Sequence, residues 1–241
     1  MSIFLLGVWI WSQLPNDKLK FVFCDVGQGD GAIVALGYFQ ALIDTGGSRE
    51  KILDCLGAQM PFWDRKIEII FISHGDRDHS GALAAVKKAY EIGKIVDKVD
   101  SGDRVRYGEL YFEILSGEKN SNCQENDCSV VVRVGFRKIS ALFTGDISEK
   151  EELALVGEGV IKRADILKVA HHGSKNSSSL GFLQAVKPGL AIISAGAKNT
   201  YGHPSSDTLM RLEAVRAKIM RTDREGSVEV ETDGERLWVK K

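Results

Sequence analysis

Short apolar runs separated by glycine-bearing turns dominate the chain. Residues 19–24, 32–36 and 39–43 read as strands, and a helix-like stretch follows at 49–56. Residues 67–72 form an almost uninterrupted apolar run, the pattern of a strand buried on both faces, and it stops at Ser73. Beyond Ser80, Ala82, Leu83, Val86, Ala89 and Tyr90 recur at helical spacing. Residues 73–79 therefore form a loop between the C-terminal end of a buried strand and the start of a helix. Further strands are predicted at 105–107, 110–115, 129–134, 139–143, 165–170 and 190–194, with helices at 148–155, 180–186 and 205–215. Asp233-Gly234, between 228–232 and 236–239, marks a closing hairpin. Two successive sets of strands with covering helices predict an α/β protein, a four-layer αββα sandwich, with no linker or low-complexity segment between residues 19 and 241.

Composition narrows the class. At 241 residues, 44% hydrophobic and 27% charged, the chain is an ordinary globular protein, and disordered, coiled-coil or multi-span membrane architectures predict something else. Lys plus Arg (32) against Asp plus Glu (33) leaves a formal charge of -1, so a polyanion must be held by a local patch. Residues 1–18 stand apart as an apolar N-terminal segment. It has the length of a signal-peptide apolar region and about half the roughly 20 residues of a spanning helix. No Lys or Arg precedes it, and residues 11–15 lack a small-residue cleavage site. A packed element is one reading. A membrane tether or atypical export signal is the other, favoured because Trp9 and Trp11 suit an interface, and it predicts a membrane-associated or extracytoplasmic location, with a cytoplasmic one still open. Cys24 and Cys55 read as small core residues. Cys123 and Cys128, bracketing a polar loop, are expected to form a disulfide in an oxidising compartment.

All five histidines fall in three short segments: His74 and His79, His171 and His172, and His203. The loop from His74 carries Asp76, Asp78 and His79, four potential ligands that a loop can turn inward and a helix or strand could not. Converging carboxylates and imidazoles are what a pair of cations requires. The bland alternative is a solvated loop whose aspartates cap the next helix. Asp146, after the strand at 139–143, reads as a ligand or a helix cap. The turn containing Asp25 and Asp30 reads as a tight turn or as a support for ligand histidines. His203 is a substrate-side acid or donor, or merely a loop histidine.

The run His74-Gly75-Asp76-Arg77-Asp78-His79, with 42–47, Thr144-Gly145-Asp146 and the late histidines in the same order, resembles the metallo-β-lactamase superfamily with Asp76 in place of a histidine. Within it, residues 25–30, 170–174 and 201–204 resemble the soluble domain of the ComEC-type DNA-internalisation competence proteins and their free-standing relatives. The resemblance implies a metal-dependent hydrolase domain over 19–241. His74 and Asp76 would hold one cation, Asp78, His79 and His172 a second, and Asp146 would bridge them. Asp78, Asp146, His171 and His203 are the expected catalytic groups, with His171 the hydrogen-bonding neighbour of the ligand His172. Asp25, Asp30, Asp44, Asn126, Ser129 and Ser174 are the expected supporting or substrate-side residues. Because oxygen replaces nitrogen in this set, two divalent ions with Mn²⁺ favoured and Zn²⁺ possible are expected.

The expected substrate is single-stranded DNA or another phosphodiester. Lys162, Arg163, Lys168 and Lys175 near the histidine pair, and Arg211, Arg216, Lys218 and Arg221 later, are candidates for its phosphates. Rival readings are a hydrolase of a small or cell-wall-linked ester, like a phosphorylcholine esterase or lactonase, and a non-enzymatic metal-binding or electron-transfer module. The expected oligomeric state is undefined.

Overall fold

The structure, a computed structural model, describes residues 16–97, 99–117 and 128–240. Two seven-stranded sheets face each other. The first has the order β14-β13-β1-β2-β3-β4-β5, from β1 (Leu19–Phe23), β2 (Ala32–Leu36), β3 (Phe39–Ile43), β4 (Lys66–Phe71), β5 (Glu91–Val96), β13 (Val228–Thr232) and β14 (Leu237–Lys240). The second runs β12-β11-β10-β9-β8-β7-β6, from β6 (Arg104–Tyr107), β7 (Leu110–Ser116), β8 (Val131–Phe136), β9 (Ile139–Phe143), β10 (Ile166–Lys168), β11 (Leu190–Ile193) and β12 (Lys218–Arg221).

Helices α1 (Arg49–Gln59), α2 (Arg77–Ser80) and α3 (Leu83–Ala89) belong to the first half. Helices α4 (Glu149–Gly157), α5 (Leu180–Val186), α6 (Ser206–Ala214) and the short α7 (Thr222–Glu225) belong to the second. Phe21, Phe23, Phe112, Val132 and Phe143 form part of the core between the sheets. Ile52, Leu56 and Val86 pack α1 and α3 on one outer face, and Leu155, Phe182, Leu183 and Leu212 pack α4 to α6 on the other. This is the expected αββα sandwich.

Two strands escape the sequence pattern, β5 and β12. Both are sheet edges, and an edge strand carries charged side chains such as Glu91, Lys94, Lys218 and Arg221 that hide its periodicity. The strand expected over 165–170 ends at Lys168, because His171 and His172 adopt left-handed φ of 48° and 54° and bend the chain. One expectation is corrected outright. Cys24 and Cys55 are not separate core thiols but a disulfide with Cα atoms 6.0 Å apart. Cys24 follows β1 on the face shared by Val22 and Val26, and Cys55 lies on the buried stripe of α1, so both point into one layer. Residues 1–15 and 118–127, including the apolar segment, Asn126 and Cys123, lie outside the described residues, so the expected Cys123–Cys128 bridge does too. Among the described residues no helix is long and apolar enough to cross a membrane.

Strands β3 and β4 run parallel, as do β9, β10 and β11. Their C-terminal ends release residues 44–47, 73–79, 144–147, 169–174 and 194 onward at one end of the sandwich. Loops at that end of parallel strands are where such sheets form binding crevices.

Candidate metal centre

The loop after β4 is tied down before it presents any ligand. Asp44, at φ 59° beyond β3, accepts hydrogen bonds from the Ser73 backbone N–H and hydroxyl, both 2.7 Å, and from His79 Nδ1 at 2.9 Å. Residues 25–30 close over it: Asp30 N–H donates to the Asp78 carbonyl at 3.1 Å, and Gly29 (φ 123°) is required because a Cβ would overlap that oxygen. On the second sheet, Asp146 N–H donates to Ser129 Oγ at 3.1 Å and His171 N–H to the Gly145 carbonyl at 3.1 Å.

These bonds determine the histidine tautomers. His79 Nδ1 faces the acceptor-only Asp44 carboxylate, and His172 Nδ1 faces the Ser194 carbonyl at 3.0 Å, so both Nδ1 atoms carry hydrogen. The Ser73 hydroxyl spends its one hydrogen on Asp44, so it accepts from His74 Nδ1 at 3.0 Å. All three Nε2 atoms are thereby left with lone pairs, buried and without a hydrogen-bond partner, as is Asp146 Oδ1. They converge. Asp146 Oδ2 lies 3.2 Å from His79 Nε2 and 3.4 Å from His172 Nε2, Asp78 Oδ2 lies 3.2 Å from His172 Nε2, and Asp76 Oδ2 lies 3.5 Å from His74 Nε2.

Ligand atoms of Asp30, His79, Asp146 and His172 lie within 4.8 Å of one another and could hold a metal ion. Asp30, however, approaches the Nδ1 sides, 3.3 Å from His172 and 3.8 Å from His79, and pairs with the buried ammonium of Lys168. It stands behind the imidazoles, whereas Asp78 shares their open side. We therefore assign Asp78 rather than Asp30 to the set that can hold a cation.

The electrostatics demand positive charge at this point. Burial alone would depress the basicity of His79, but the carboxylates of Asp146 and Asp44 overcome it and push its pKa up to about 10. His172 is likewise raised by Asp146 and Asp30 against the effect of its burial. Burial would raise Asp146 and Asp30; cationic His172 and His79 hold the first well below the carboxylate range, and Lys168 with His172 the second. Asp78 is lowered chiefly by the adjacent imidazole of His172. The place that a proton takes on each Nε2 is the place that a metal ion can take.

His171 occupies the rim, Nε2 3.8 Å from Asp146 Oδ2, with its ring centroid 5.7 Å from that of His203, which in turn stacks on Tyr201. Burial lowers the pKa of both His171 and His203. Ser174 N–H donates to the His171 carbonyl at 2.8 Å and fixes that turn. Ser129 Oγ also lies 3.4 Å from His74 Nδ1. Asp25 is not brought to the centre: the chain turns at Gly27 (φ 81°), and Asp25 pairs with Lys51 on α1 at 2.9 Å.

Ser73 and the Ser194 carbonyl carry no sequence signal for their support of the histidines, and Lys168 has a different role from the one its charge suggests. Lys168 was expected to face phosphates but is buried on Asp30. Arg211 and Arg221 are also committed internally, to the Lys175 and Ser177 carbonyls and to Asp223. A buried lysine on a short strand carries no sequence signal of its own beyond lying two residues before Ala170.

Comparison with known proteins follows the same lines. A sequence model described as the metallo-beta-lactamase superfamily matches residues 28–112. The chain is 31% identical over 228 residues to Competence protein ComA of Neisseria gonorrhoeae, covering 90% of this chain and 33% of that protein. It is 30% identical over 247 residues to ComE operon protein 3 of Bacillus subtilis, covering 85% and 32%. The chain thus spans about a third of the length of these relatives. Among solved structures, the metallo-beta-lactamase fold protein YhfI from Bacillus subtilis superposes with TM-score 0.64 at 13% identity, over 90% of this chain and 100% of that one.

Proposed function

The chain belongs to the metallo-β-lactamase superfamily, and from that premise we propose that it is a hydrolase of phosphodiesters, DNA foremost, working with two divalent cations, Mn²⁺ ahead of Zn²⁺. The observation that carries this is the convergence of the partnerless Nε2 atoms of His79 and His172 on Asp146, with a third, His74 Nε2, beside Asp76. The charge agrees with it. Asp30, Asp44, Asp76, Asp78 and Asp146 stand around the histidines with one ammonium, that of Lys168 on Asp30, an excess of about four negative charges when the histidines are neutral. Two divalent ions would cancel it. Asp78, His79 and His172 would hold one cation and His74 and Asp76 the other, with Asp146 between them.

When bound, such ions supply Lewis acidity that acidifies water and steadies charge on an attacked ester. The chain's own residues do the rest. Asp44 and the Ser194 carbonyl orient His79 and His172, Asp30 with Lys168 backs both rings, and Asp78 and Asp146 position the attacking oxygen. His171, neutral at pH 7 because burial lowers its pKa, accepts the proton at the rim and returns it to the leaving group, with His203, lowered likewise, as a hydrogen-bond donor beside that group. The competence-protein relatives support DNA as the substrate.

The disulfide supports an oxidising, extracytoplasmic location, with residues 1–18 as the tether. Closing 31 residues, it stabilises the domain by about 3–4 kcal/mol in the chain-entropy picture. Turnover of a chromogenic phosphodiester and a labelled oligonucleotide with Mn²⁺, beside phosphorylcholine and lactone substrates, tests the reading. Turnover of the first pair is expected. Turnover of a lactone or phosphorylcholine ester alone would replace it with the small-ester reading, and turnover of none with the binding-module reading.

A further inference from the structure

Helices α4 to α6 cover the outer face of the second sheet from β12 to β9 and reach Leu115 at the end of β7 and Val131 at the start of β8. Beyond those residues no described element covers the face. Strand alternation sends Phe112, Val132 and Val134 into the core between the sheets and leaves Tyr111, Glu113 and Arg133 outward. The register places Arg104, Glu113 and Arg133 side by side across three strands, with Arg106 beside Tyr111 in the next row. Together with Lys162 they line an open groove of about 430 Å³.

The charge there is not self-compensated. Arg104 is spent on Glu113. Arg133 is clamped by Ser140 Oγ at 2.8 Å and the Arg163 carbonyl at 2.7 Å, which holds a guanidinium rigidly in the groove floor without neutralising it. Arg106 and Lys162 are exposed and have no acidic partner among the described residues. Tyr111 lies flat across Gly135, where any Cβ would collide with its ring. An aromatic face flanked by rigid and mobile cations is the chemistry that holds a single-stranded polynucleotide. Charged residues protect an edge strand such as β6 from pairing, but Arg133 and Lys162 are not on an edge and need no such explanation.

We infer that the bare face of β6 to β8 is a docking groove for the sugar-phosphate backbone of a single-stranded nucleic acid, separate from the metal centre. Arg106 and Lys162 contact phosphates, and Tyr111 offers a stacking platform. This rests on the reading that the substrate is a polynucleotide, and it explains how a chain of net charge -1 holds one.

The test uses the full chain and a fluorescent oligothymidylate with phosphorothioate links that resist cleavage. Binding is followed by anisotropy between about 50 and about 200 mM salt. Two single-strand phosphate contacts contribute about 1.4 to the salt slope, so R106Q/K162Q should bind more weakly at low salt and lose about sevenfold less affinity than wild type across that range. Its turnover of a small chromogenic phosphodiester should be unchanged. If wild type and variant bind with one affinity and one slope while both turn over the small diester, the groove is wrong and the phosphodiesterase reading stands. If neither turns over any diester but the variant still loses oligonucleotide binding, the groove stands and the catalytic reading falls. Variant-sensitive retention on phosphatidylglycerol vesicles, with oligonucleotide binding unaffected, would reassign the face to a lipid surface and overturn the inference.

Discussion

His74 stands in the loop after β4 and His79 in the short helix α2 that follows it, and the protein supports them unequally. His79 is fully buried, its Nδ1 on the Asp44 carboxylate, and the neighbouring His172 is backed by a carbonyl and by Asp30. His74 has only the hydroxyls of Ser73 and Ser129 behind it, and its acidic companion Asp76 has a side chain 53% exposed. A carboxylate behind an imidazole fixes its orientation and raises its basicity as a ligand, and a hydroxyl does so less. On the proposed two-cation reading, the Asp78, His79, Asp146 and His172 half would therefore be the tight position and the His74 and Asp76 half the loose one. What the difference teaches is that ligand spacing in a sequence proposes sites without ranking them; the ranking comes from what stands behind each ring.

The largest effect is expected from Asp78→Ala, which removes an oxygen from the tight half. Turnover should fall by more than about 10³-fold, roughly 4 kcal/mol of barrier, while circular dichroism stays that of the wild type. Residual turnover within a few-fold would reduce Asp78 to a residue of α2's first turn.

Buried carboxylates elsewhere sharpen the electrostatic half of the argument. Glu152 in α4 is as buried as Asp146, but its partners are the N–H groups of Ser178 and Ser179 rather than cations, and burial pushes its pKa up to about 7. The folded state then binds this proton more tightly than the unfolded chain. Its contribution to stability is complete below the ordinary 4.5 and is lost as pH climbs towards 7, by up to about 3 kcal/mol. Glu152→Gln should flatten that part of the stability profile in chemical denaturation. An unchanged slope would show that burial without a counter-charge is not what sets this group.

Asp44→Asn comes next. Asparagine tolerates the left-handed backbone at this position but has one acceptor oxygen, so it cannot accept from the Ser73 backbone N–H and from His79 Nδ1, which bond opposite oxygens of Asp44, at once. Metal affinity should drop about 10- to 100-fold with the fold intact, read by competition with a chromogenic chelator. No change would break the claim that backing sets the ranking. Asp76→Ala should have the smallest effect, a loss of less than about tenfold in turnover that excess Mn²⁺ restores, as expected of a weak site rescued by mass action.

Much of this was legible beforehand. The buried run before Ser73 and the clustering of histidines located the loop at a strand's C-terminal end, and period-2 and helical patterns located most strands and helices. What stayed hidden depended on facing rather than on pattern. Cys24 and Cys55 each read as buried, but nothing along the chain says that β1 and α1 present them to each other. Asp25 and Asp30 read alike in one turn, and only the folded backbone separates a surface partner of Lys51 from a support for His172. Lys168 read as a phosphate-facing cation because charge in a sequence is counted without its partner. The edge strands β5 and β12 were lost because their charged positions mask alternation.

The most direct test of the unequal centre is a calorimetric titration of metal-free protein with Mn²⁺, checked by elemental analysis, for wild type, Asp76→Ala and His172→Ala. Two ions per wild-type chain are predicted, one tight and one weak. The tight phase should survive in Asp76→Ala with the weak one lost, and the tight phase should be absent from His172→Ala. A tight phase that disappears with Asp76 and persists without His172, or two phases of equal affinity in the wild type, would contradict the account.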